Sequence, residues 1–489
     1  MAHEILPPGS ADMTPEEFRR HGYAVVDRIA EYLAHPERWN VMAQIQPGDV
    51  AREIPGAPPA DAQPMDDILA DYDRIIVPGT THWNHPGFFA YFGITASGPG
   101  ILGEMLAASL NVNAMLWRSG PAETELEDTV LDWLRQILGL PEGLDGTIND
   151  TASSSTLYAL AAARERAEDL GIRQQGLAGR DDVPPLRVYC SEEAHSSVDK
   201  AVITLGLGLD NVVRLPSDAE FRMVPELLQR AIDQDRQQGR RPLAVVATVG
   251  TTGVTAVDPV PEIADICQRE GLWLHVDAAY GGSAAAIPEM RWVLDGCDRA
   301  DSLVVNPHKW MFTPIDCSAL FTRHPELLRR AFSLTPEYLK TAEQDRVKNL
   351  MDYGVSLGRR FRALKLWFVL RYFGADGISD RLREHLRMAK QLEGWVDGAD
   401  DWERLAPVHF SVVAFRYRPA DIDDEQELDR LNAAILDHVN ATGEVFMSHT
   451  KVRDHYAIRI AIGNLRTTEA HVRRAWELLG EAAQQARGA

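Results

Sequence analysis

Between residues 97 and 364, short apolar runs alternate with stretches of helical periodicity, and no other feature of the sequence constrains the fold as much. Helical stretches lie between several of these runs, for example at 224–237 and 261–270. Such alternation predicts an α/β fold, in which helices cover a mostly parallel central sheet. The apolar runs are 186–190, 212–215, 243–249, 272–276, 303–305 and 318–322.

The chain before this region predicts helices with little core of their own. After a loose leader, Thr14 and Pro15 start a helix, and Glu17 is spaced to complete a capping box. A Pro- and Ala-rich connector then leads to a second helix at 65–75. We expect this segment to pack on another surface, such as a partner subunit.

After residue 365 the order of elements changes, and helices alternate with single strands in a way that predicts a smaller α+β domain. The predicted elements are helix 381–395, strand 409–417, helix 425–439, strand 456–462 and helix 469–485. We therefore predict three parts: an N-terminal helical dimerisation segment (1–96), a large α/β domain (97–364) and a small C-terminal α+β domain (365–489).

The bulk composition argues against two classes of partner. A formal net charge of −22, from 50 basic and 72 acidic residues, disfavours binding to nucleic acid or to an anionic membrane. We find neither an apolar run of membrane-spanning length nor a signal peptide, so a cytoplasmic protein is expected. The cysteines have no metal-binding or disulfide-like spacing, which predicts reduced thiols and no metal site. They are Cys190, Cys267, Cys297 and Cys317.

Lys309 and Asp277 are the two residues that most directly indicate chemistry. Lys309 lies where the chain turns after an apolar run, and desolvation there favours the neutral amine that forms a Schiff base. Asp277 ends another apolar run and is followed by small residues that would admit a planar ring. Taken alone, Lys309 could be a solvated loop lysine, and Asp277 could be a helix cap. Together they predict pyridoxal phosphate, which needs a lysine and an acid beside its ring nitrogen.

Other segments supply candidate contacts for the same cofactor. The hydroxyl-rich turn at 150–156 precedes a helix and could bind a phosphate, although for the motif alone a Ser/Thr cap with nothing bound is the commoner explanation. His195 follows an apolar run and could stack on a planar ring, and the 248–253 turn could line the ring's other face. Asn306 and His308 flank the lysine. The aromatic-rich stretch 83–92 is either a pocket for a flat side chain or a core cluster.

With this lysine, aspartate, histidine and turn in this order, the sequence resembles the group II pyridoxal-phosphate decarboxylases. It is most similar to the aromatic-L-amino-acid decarboxylases, especially their bacterial branch, over about residues 13–478. The resemblance implies the fold type I of pyridoxal-phosphate enzymes, which is aspartate aminotransferase-like. The motifs that carry it are 306–310, 275–280, 195–198, 121–127 and 357–362.

The resemblance also implies a role for each matching residue. Lys309 would form the Schiff base, Asp277 would pair with the ring nitrogen, and His195 would stack on the ring opposite Ala279. The family is a homodimer with active sites at the interface and a swapped N-terminal segment. The other implied cofactor contacts are Ala152, Ser153, Thr252, Asn306 and His308, with Gly358 from the second subunit; the implied substrate contacts are Trp83, Tyr91, Phe92, Asn113 and Met115.

Three departures from the family's animal members bear on the reaction. The mobile loop that carries a proton-donating tyrosine corresponds to about 342–353 and is about two residues shorter here, and its one tyrosine, Tyr353, aligns with a tryptophan. Asn113 and Met115 replace apolar and aromatic residues that the partner subunit contributes in those relatives, and Gly93-Ile94 replaces Pro-Thr. These changes alter the substrate end of the predicted site and put its proton donor in question.

The leading hypothesis is therefore the decarboxylation of tryptophan, tyrosine, phenylalanine or dihydroxyphenylalanine to an arylalkylamine. An aldehyde synthase is the first alternative, because a carbanion without a proton donor can react with oxygen. A decarboxylase of acidic amino acids is the second. A transaminase would need an arginine for the α-carboxylate, and Arg459 is a conceivable one, although a strand arginine usually faces solvent. A binding protein that lost its chemistry would not be expected to retain Lys309, Asp277 and His195 together.

Overall fold

The computed structural model of the chain describes residues 12–334 and 346–488. Its strands are β1 (Asp145–Asn149), β2 (Leu186–Ser191), β3 (Val212–Leu215), β4 (Arg241–Thr248), β5 (Trp273–Asp277), β6 (Ser302–Val305), β7 (Ser318–Thr322), β8 (Trp402–Arg404), β9 (Val412–Tyr417), β10 (Ser448–Val452) and β11 (His455–Ala461).

The helices surround two sheets and include one long helix that is broken by a glycine. They are α1 (Pro15–Ala34), α2 (Asp49–Glu53), α3 (Met65–Asp71), α4 (Gly98–Leu110), α5 (Pro121–Ile137), α6 (Ala152–Arg166), α7 (Ile172–Gln175), α8 (Ser197–Thr204), α9 (Pro225–Gln237), α10 (Val260–Glu270), α11 (Pro307–Trp310), α12 (Pro325–Phe332), α13 (Arg362–Asp397), α14 (Glu425–Ala441) and α15 (Glu469–Gly488). Within the described ranges, none of them is long and apolar enough to cross a membrane.

The large sheet has seven strands in the order β1-β7-β6-β5-β4-β2-β3. Each neighbouring pair in the part of the sheet from β6 through β5, β4 and β2 to β3 is parallel. Strand β7 is antiparallel to both β6 and β1. The predicted mostly parallel sheet is therefore confirmed, and each of the six apolar runs forms one of its strands. The sequence analysis missed β1, because this five-residue strand is polar and only its last three residues are buried.

Strand periodicity divides the core of the large sheet between its two faces. In β4, Ala244 and Val246 pack with the helix α6 side chains, while Val245 and Ala247 pack in the cluster on the opposite face. Because both faces are covered, these strands are apolar throughout rather than alternating, which is typical of parallel sheets. Each fully buried valine or leucine contributes roughly 1.5–3 kcal/mol.

The small sheet contains β10, β11, β9 and β8 in that order, and every neighbouring pair is antiparallel. The predicted helix at 381–395 is the second part of α13, whose backbone breaks at Gly374 with a φ of 66°. This left-handed value favours glycine. The strands β8 and β10 were not predicted, because β8 has three residues and β10 has one fully buried residue.

The first helix of the N-terminal segment has no core of its own within the described residues, whereas Val41 and Ile75 further along the segment are buried. The capping box of Thr14 and Glu17 is present, as predicted, and α1 follows it. No residue of α1 is buried, although its apolar side chains include Phe18 and Tyr23, which are 66% and 65% exposed. The second predicted helix is shorter than expected, since α3 ends at Asp71 and a π-helical turn continues to Ile76.

Candidate active site

The order of the large sheet brings six strand ends to one edge. Strands β2, β3, β4, β5 and β6 run parallel, and β1 has the same direction because it pairs with β7, which is antiparallel to β6. In this register Thr248 lies opposite Asp277, and Asp277 lies opposite Val304. The loops that follow these strands therefore meet at their carboxyl ends, where open α/β sheets bind ligands.

Lys309 lies in the short helix α11, immediately after β6. Its backbone N–H donates to the Asn306 carbonyl at 2.9 Å, and its Nζ lies 5.0 Å from the centre of the Phe92 ring. Burial lowers the pKa of Lys309, the nearby Arg459 lowers it further, and Asp277 opposes the shift. A lowered pKa increases the fraction of neutral amine, which is the form that attacks an aldehyde.

Asp277 is the last residue of β5 and is 7% exposed. One carboxylate oxygen accepts the backbone N–H of Ala279 at 3.1 Å. No other hydrogen bond to this carboxylate is present in the described part of the chain. The residue forms a tight turn rather than a helix cap, and a carboxylate oxygen remains to accept a proton donor such as a protonated ring nitrogen.

His195 lies in the loop after β2, and its side chain is exposed. Its Nδ1 accepts the backbone N–H of Ser197 at 3.1 Å, which leaves the proton of the neutral ring on Nε2. Partial burial lowers the pKa of His195 and so does the charge of Lys309, whereas the charge of Asp277 raises it. The loop that carries His195 follows β2 at the same sheet edge as Asp277 and Lys309.

The first turn of α6 follows β1 directly and supplies free backbone donors. No side chain caps this helix, so the N–H groups of Ala152 and Ser153 are not occupied by a cap. Ser155 lies deeper, where its hydroxyl contacts Asn149 and Ser318, each at 3.1 Å. The predicted anion-binding turn is therefore a helix N-terminus at the same sheet edge as Lys309.

Three further predicted cofactor contacts have different environments. Asn306 is 1% exposed, and its side-chain oxygen has no hydrogen-bond partner within the described chain. His308 is buried, and its Nδ1 accepts the Cys317 N–H at 2.9 Å; burial lowers its pKa to about 3. His308 is therefore a neutral ring held by the backbone. Thr252 is exposed in the turn after β4.

The aromatic stretch divides into a buried part and an exposed part. Phe92 stacks on Tyr280 with ring centres 3.9 Å apart, and Tyr280 stacks on Trp310 at 4.8 Å. Phe92 therefore lies in a buried aromatic column beside Lys309. Trp83 and Tyr91 stack on each other at 5.7 Å and are 36% and 54% exposed. The aromatic stretch therefore contributes residues both to the core and to the surface.

Asn113, Met115 and Gly358 form one surface patch, which we call the 113/358 patch. The Asn113 side-chain oxygen accepts the Arg359 N–H at 2.9 Å, and its side-chain nitrogen is 3.6 Å from the Met115 sulfur. Neither a hydrogen bond nor a ring contact among the described residues joins the patch to Lys309. The sequence comparison assigned these residues to the site of a second subunit, and that assignment stays a prediction.

The predicted mobile loop at 342–353 is only partly within the described residues, since 342–345 lie outside them. Its last four residues form a 3-10 helix, Leu350–Tyr353, whose side chains are all buried. The Lys348 ammonium lies 4.9 Å from the centre of the Tyr353 ring, and burial raises the tyrosine's pKa to about 12. The part of the loop within the described residues is therefore packed against the protein, and the correspondence of 342–353 to the family's mobile loop stays a prediction.

Arg459 is a site residue that the sequence analysis considered and set aside as solvent-facing. The structure contradicts that reading, because Arg459 is 3% exposed and its guanidinium carbon lies 4.8 Å from the centre of the Phe92 ring. The signal in the sequence is weak but present. Ala457 and Ala461 share its face of β11, and two alanines leave room for a long side chain to lie inward.

Comparison with known proteins identifies the family. Residues 47–418 match the model of the pyridoxal-dependent decarboxylase conserved domain. The chain belongs to this family. A tryptophan decarboxylase of Camptotheca acuminata is 40% identical over 96% of this chain and 95% of its own length. A phenylacetaldehyde synthase of Petunia hybrida is 38% identical over 96% and 94%. Because the relatives named here come from plants, the expected likeness to the bacterial branch stays a prediction.

Solved structures of family members agree with the fold. The tryptophan decarboxylase of Oryza sativa with pyridoxal phosphate and tryptamine has a TM-score of 0.93 and 36% identity, and the match covers 97% of this chain and 99% of that one. The tryptophan decarboxylase of Catharanthus roseus in complex with L-tryptophan has a TM-score of 0.91 and 38% identity, and covers 97% and 100%. The protein is thus a decarboxylase of fold type I that depends on pyridoxal phosphate.

The residues at the sheet edge fit this cofactor. The buried Asn306 oxygen without a partner, the free carboxylate oxygen of Asp277 and the uncapped start of α6 are polar groups that the protein leaves unsatisfied. A phosphate suits the helix N-terminus, and a protonated pyridine nitrogen suits the carboxylate. Lys309 supplies the amine. The three groups lie at one edge of the sheet, where a single bound polar ligand would satisfy them together.

We expect Lys309→Ala to abolish turnover, with a loss of about 10³-fold or more, because the variant lacks the amine that would hold the cofactor. The same variant should lose the visible absorbance of the bound cofactor. Absorbance spectra and amine production measured on the purified proteins check both effects. Lys200→Ala is the control, since Lys200 is an exposed lysine of α8, and it should retain activity within about twofold. Near-normal turnover by Lys309→Ala would contradict the assignment.

We expect Asp277→Asn to lower the rate by about 100- to 1000-fold, the loss typical when one preorganised electrostatic partner is removed. The amide keeps the size of the carboxylate but cannot hold a positive charge on the ring nitrogen. Cofactor affinity should also fall, which equilibrium dialysis against pyridoxal phosphate measures. An unchanged rate would rule out this role for Asp277.

Proposed function

We propose that the protein decarboxylates aromatic L-amino acids, namely tryptophan, tyrosine, phenylalanine or dihydroxyphenylalanine, to the corresponding arylalkylamines and CO2. The observation that carries the proposal is the meeting of Lys309 and Asp277 at one sheet edge, with the Phe92 ring beside the lysine amine. The names of relatives that match over nearly the whole chain, tryptophan and tyrosine decarboxylases, support the substrate class.

Each residue of the site then has a defined task. Bound pyridoxal phosphate supplies an electron sink for the bond that loses CO2. Lys309 would hold the cofactor through its neutral amine, at the place that the substrate amine must reach. Asp277 would stabilise positive charge on the ring nitrogen, and the N–H groups of Ala152 and Ser153 would bind the phosphate. His195, which is neutral, offers a flat face for stacking on the ring without placing a second cation there.

We also propose that the protein is a homodimer, with α1 and α4 at the interface. α4 exposes four large apolar side chains, and Gly103 lets its other face pack against α13, where a Cβ would come within 2.8 Å of the Lys365 Cα. Exposed apolar surface of this extent is typical of an interface. In a dimer, the 113/358 patch would complete the partner's site. The exposed residues of α4 are Leu102, Met105, Leu106 and Leu110.

Light scattering on the eluted protein should give twice the mass of the chain. Combining Leu102→Asp with Leu106→Asp should shift the protein toward monomer and lower its activity, because charges would then be buried at the interface. Leu209→Asp is the matched control, since Leu209 is 51% exposed and Leu106 is 50% exposed. A monomeric wild-type protein with full activity would refute the dimer.

The cytoplasm stays the proposed location. Its support is that all four cysteines are buried free thiols, as expected where disulfides do not form.

An aldehyde synthase is the second candidate, and a specific observation bears on it. Tyr353 is packed beside Lys348 and is not available as a proton donor. The sequence contains another tyrosine, Tyr338, in the 335–345 segment outside the described residues. We propose Tyr338 as the donor to the α-carbon. Without a donor, the carbanion would instead react with O2 and water, and the substrate would yield aldehyde, CO2, ammonia and hydrogen peroxide.

An aerobic incubation with each aromatic amino acid, and with glutamate and aspartate, separates the candidates. Amine, CO2, aldehyde and peroxide are followed together. We expect amine equal to CO2 without peroxide, and no turnover of the acidic substrates. Tyr338→Phe should convert the product to aldehyde with equal peroxide, whereas Tyr353→Phe should still make amine. Peroxide from the wild-type protein would favour the aldehyde synthase, and keto acid without CO2 would favour a transaminase.

A further inference from the structure

The loop that follows β11 reaches from the small sheet to two parts of the candidate site. It comprises residues 463–467, which we call the 463–467 loop. A Cβ added at Gly463 would lie 3.7 Å from the Cα of Gly93 and 3.7 Å from the Trp310 ring. Trp310 is the last residue of α11, the helix of the reactive lysine, and Gly93 directly follows the aromatic stretch 83–92. One loop of the small domain therefore contacts both the lysine helix and the predicted substrate segment.

Asn464 holds the aromatic stretch through its side chain, which is fully buried. Its Nδ2 donates to the backbone carbonyls of Trp83 and His85 at 3.0 and 2.9 Å. Its Oδ1 accepts a backbone N–H of the loop itself at 2.8 Å, which fixes the orientation of the amide. Thr467 adds a contact, because its hydroxyl donates to the Pro86 carbonyl at 2.7 Å. Side chains of the loop thus bind three carbonyls of the aromatic stretch.

His385 connects the same loop to the lysine helix. This histidine of α13 is fully buried, its Nδ1 accepts the indole N–H of Trp310 at 2.9 Å, and its Nε2 lies 3.1 Å from the backbone carbonyl oxygen of Asn464. An indole can only donate and a carbonyl can only accept, so the ring is neutral and carries its proton on Nε2. Burial, and then the charge of Arg381, lowers the pKa of His385 to about 3. Both hydrogen bonds are therefore retained at neutral pH.

Trp310 relates this hydrogen bond to the amine of Lys309. The indole stacks on Tyr280 with ring centres 4.8 Å apart and planes 9° apart, and Tyr280 stacks on Phe92 at 3.9 Å. The Lys309 Nζ lies 5.0 Å from the centre of that Phe92 ring. A buried indole N–H that lost its acceptor would be costly, and the ring would shift to find another partner. Such a shift would displace both the lysine helix and the ring beside the lysine amine.

We propose that His385 and Asn464 are positioning residues, which hold the lysine helix and the aromatic stretch 83–92 in one fixed arrangement. The inference rests on the proposed function and adds to it two residues that act through others. His385 acts through the Trp310 indole, and Asn464 acts through the backbone of the stretch. The lysine would act where the bond breaks, whereas the stretch would contact the side chain of the substrate. Loss of His385 should therefore affect kcat most, and loss of Asn464 should affect KM most.

The first test replaces His385 by two side chains that differ in hydrogen bonding. His385→Phe keeps a flat apolar ring but neither accepts nor donates, and we expect it to lower kcat by about 10- to 100-fold, as a small misplacement of reacting groups does. His385→Gln should restore most of the lost rate, because its amide can accept the indole N–H and donate to the Asn464 carbonyl. In a Trp310→Phe background, which lacks the indole N–H, the change His385→Phe should cost at least about threefold less. A Gln variant as slow as the Phe variant, or equal costs in both backgrounds, would overturn the role of His385.

The second test compares two buried asparagines of the small domain. Asn464→Ala should raise KM for L-tryptophan and L-tyrosine by about 10-fold, the loss typical of a broken buried hydrogen bond, and should change kcat by less than about threefold. Asn432→Ala is the matched control, because Asn432 is equally buried and makes three hydrogen bonds to the backbone of Tyr417 and Leu428. It should lower the melting temperature to a similar extent and leave KM within about twofold. An equal rise in KM in both variants would overturn the inference, since it would show a general loss of stability.

Hydrogen exchange distinguishes a failure of the inference from a failure of the proposed function, because it requires no turnover. Amide exchange in peptides that cover 83–92 and 306–312 is followed by mass spectrometry on the cofactor-loaded proteins. We expect Asn464→Ala to speed exchange in the first peptide and His385→Phe in the second, each by about 10-fold, and Asn432→Ala to change neither. Unchanged exchange in both peptides would overturn the inference, whatever the rate of CO2 release. If His385→Phe does not fold, the comparison of Asn464→Ala with its control decides alone. A wild-type protein that released no CO2 would refute the proposed function, and selective changes in exchange would still support the positioning roles.

Discussion

The parallel pairing of β4, β5 and β6 is the constraint on which the rest of the structure depends. Parallel strands carry their carboxyl ends to one edge, so the register that places Thr248 opposite Asp277 also places Asp277 opposite Val304. Four residues, 305–308, then connect Val304 to Lys309. Burial on both faces of the sheet stabilises this register. A shift of one residue would turn every side chain of the strand to the opposite face of the sheet.

A buried ion pair connects this edge to the surface patch assigned to the partner's site. One Glu127 oxygen accepts the Ile148 N–H at 2.8 Å and the Arg359 guanidinium at 2.9 Å. Ile148 belongs to β1, which leads into the phosphate-binding turn, and Arg359 follows Gly358 in the 113/358 patch. The carboxylate of α5 therefore fixes β1 and the patch relative to each other. Loss of either partner would leave an uncompensated buried charge.

The small sheet contributes to the same site from the other side. Arg459 extends from β11 to the Phe92 ring, and the Arg459 contacts with Gly253 and Tyr91 join three parts of the chain that are distant in sequence. A cation placed in this way lowers the pKa of the Lys309 amine through its field, and both cations lie over the Phe92 ring. The pKa of the Lys309 amine thus depends on residues from both sheets.

The sequence by itself determined the α/β class and the six apolar strands, because strand periodicity is local. It predicted Lys309 and Asp277 as the reactive pair from strand-end chemistry, and the family resemblance predicted Ala152 and Ser153; these roles stay predictions. Only the tertiary structure decided that Arg459 is buried and that Tyr353 is packed. It also decided that polar β1 completes the sheet. Burial of an arginine or a tyrosine depends on contacts between distant segments, which no local pattern records.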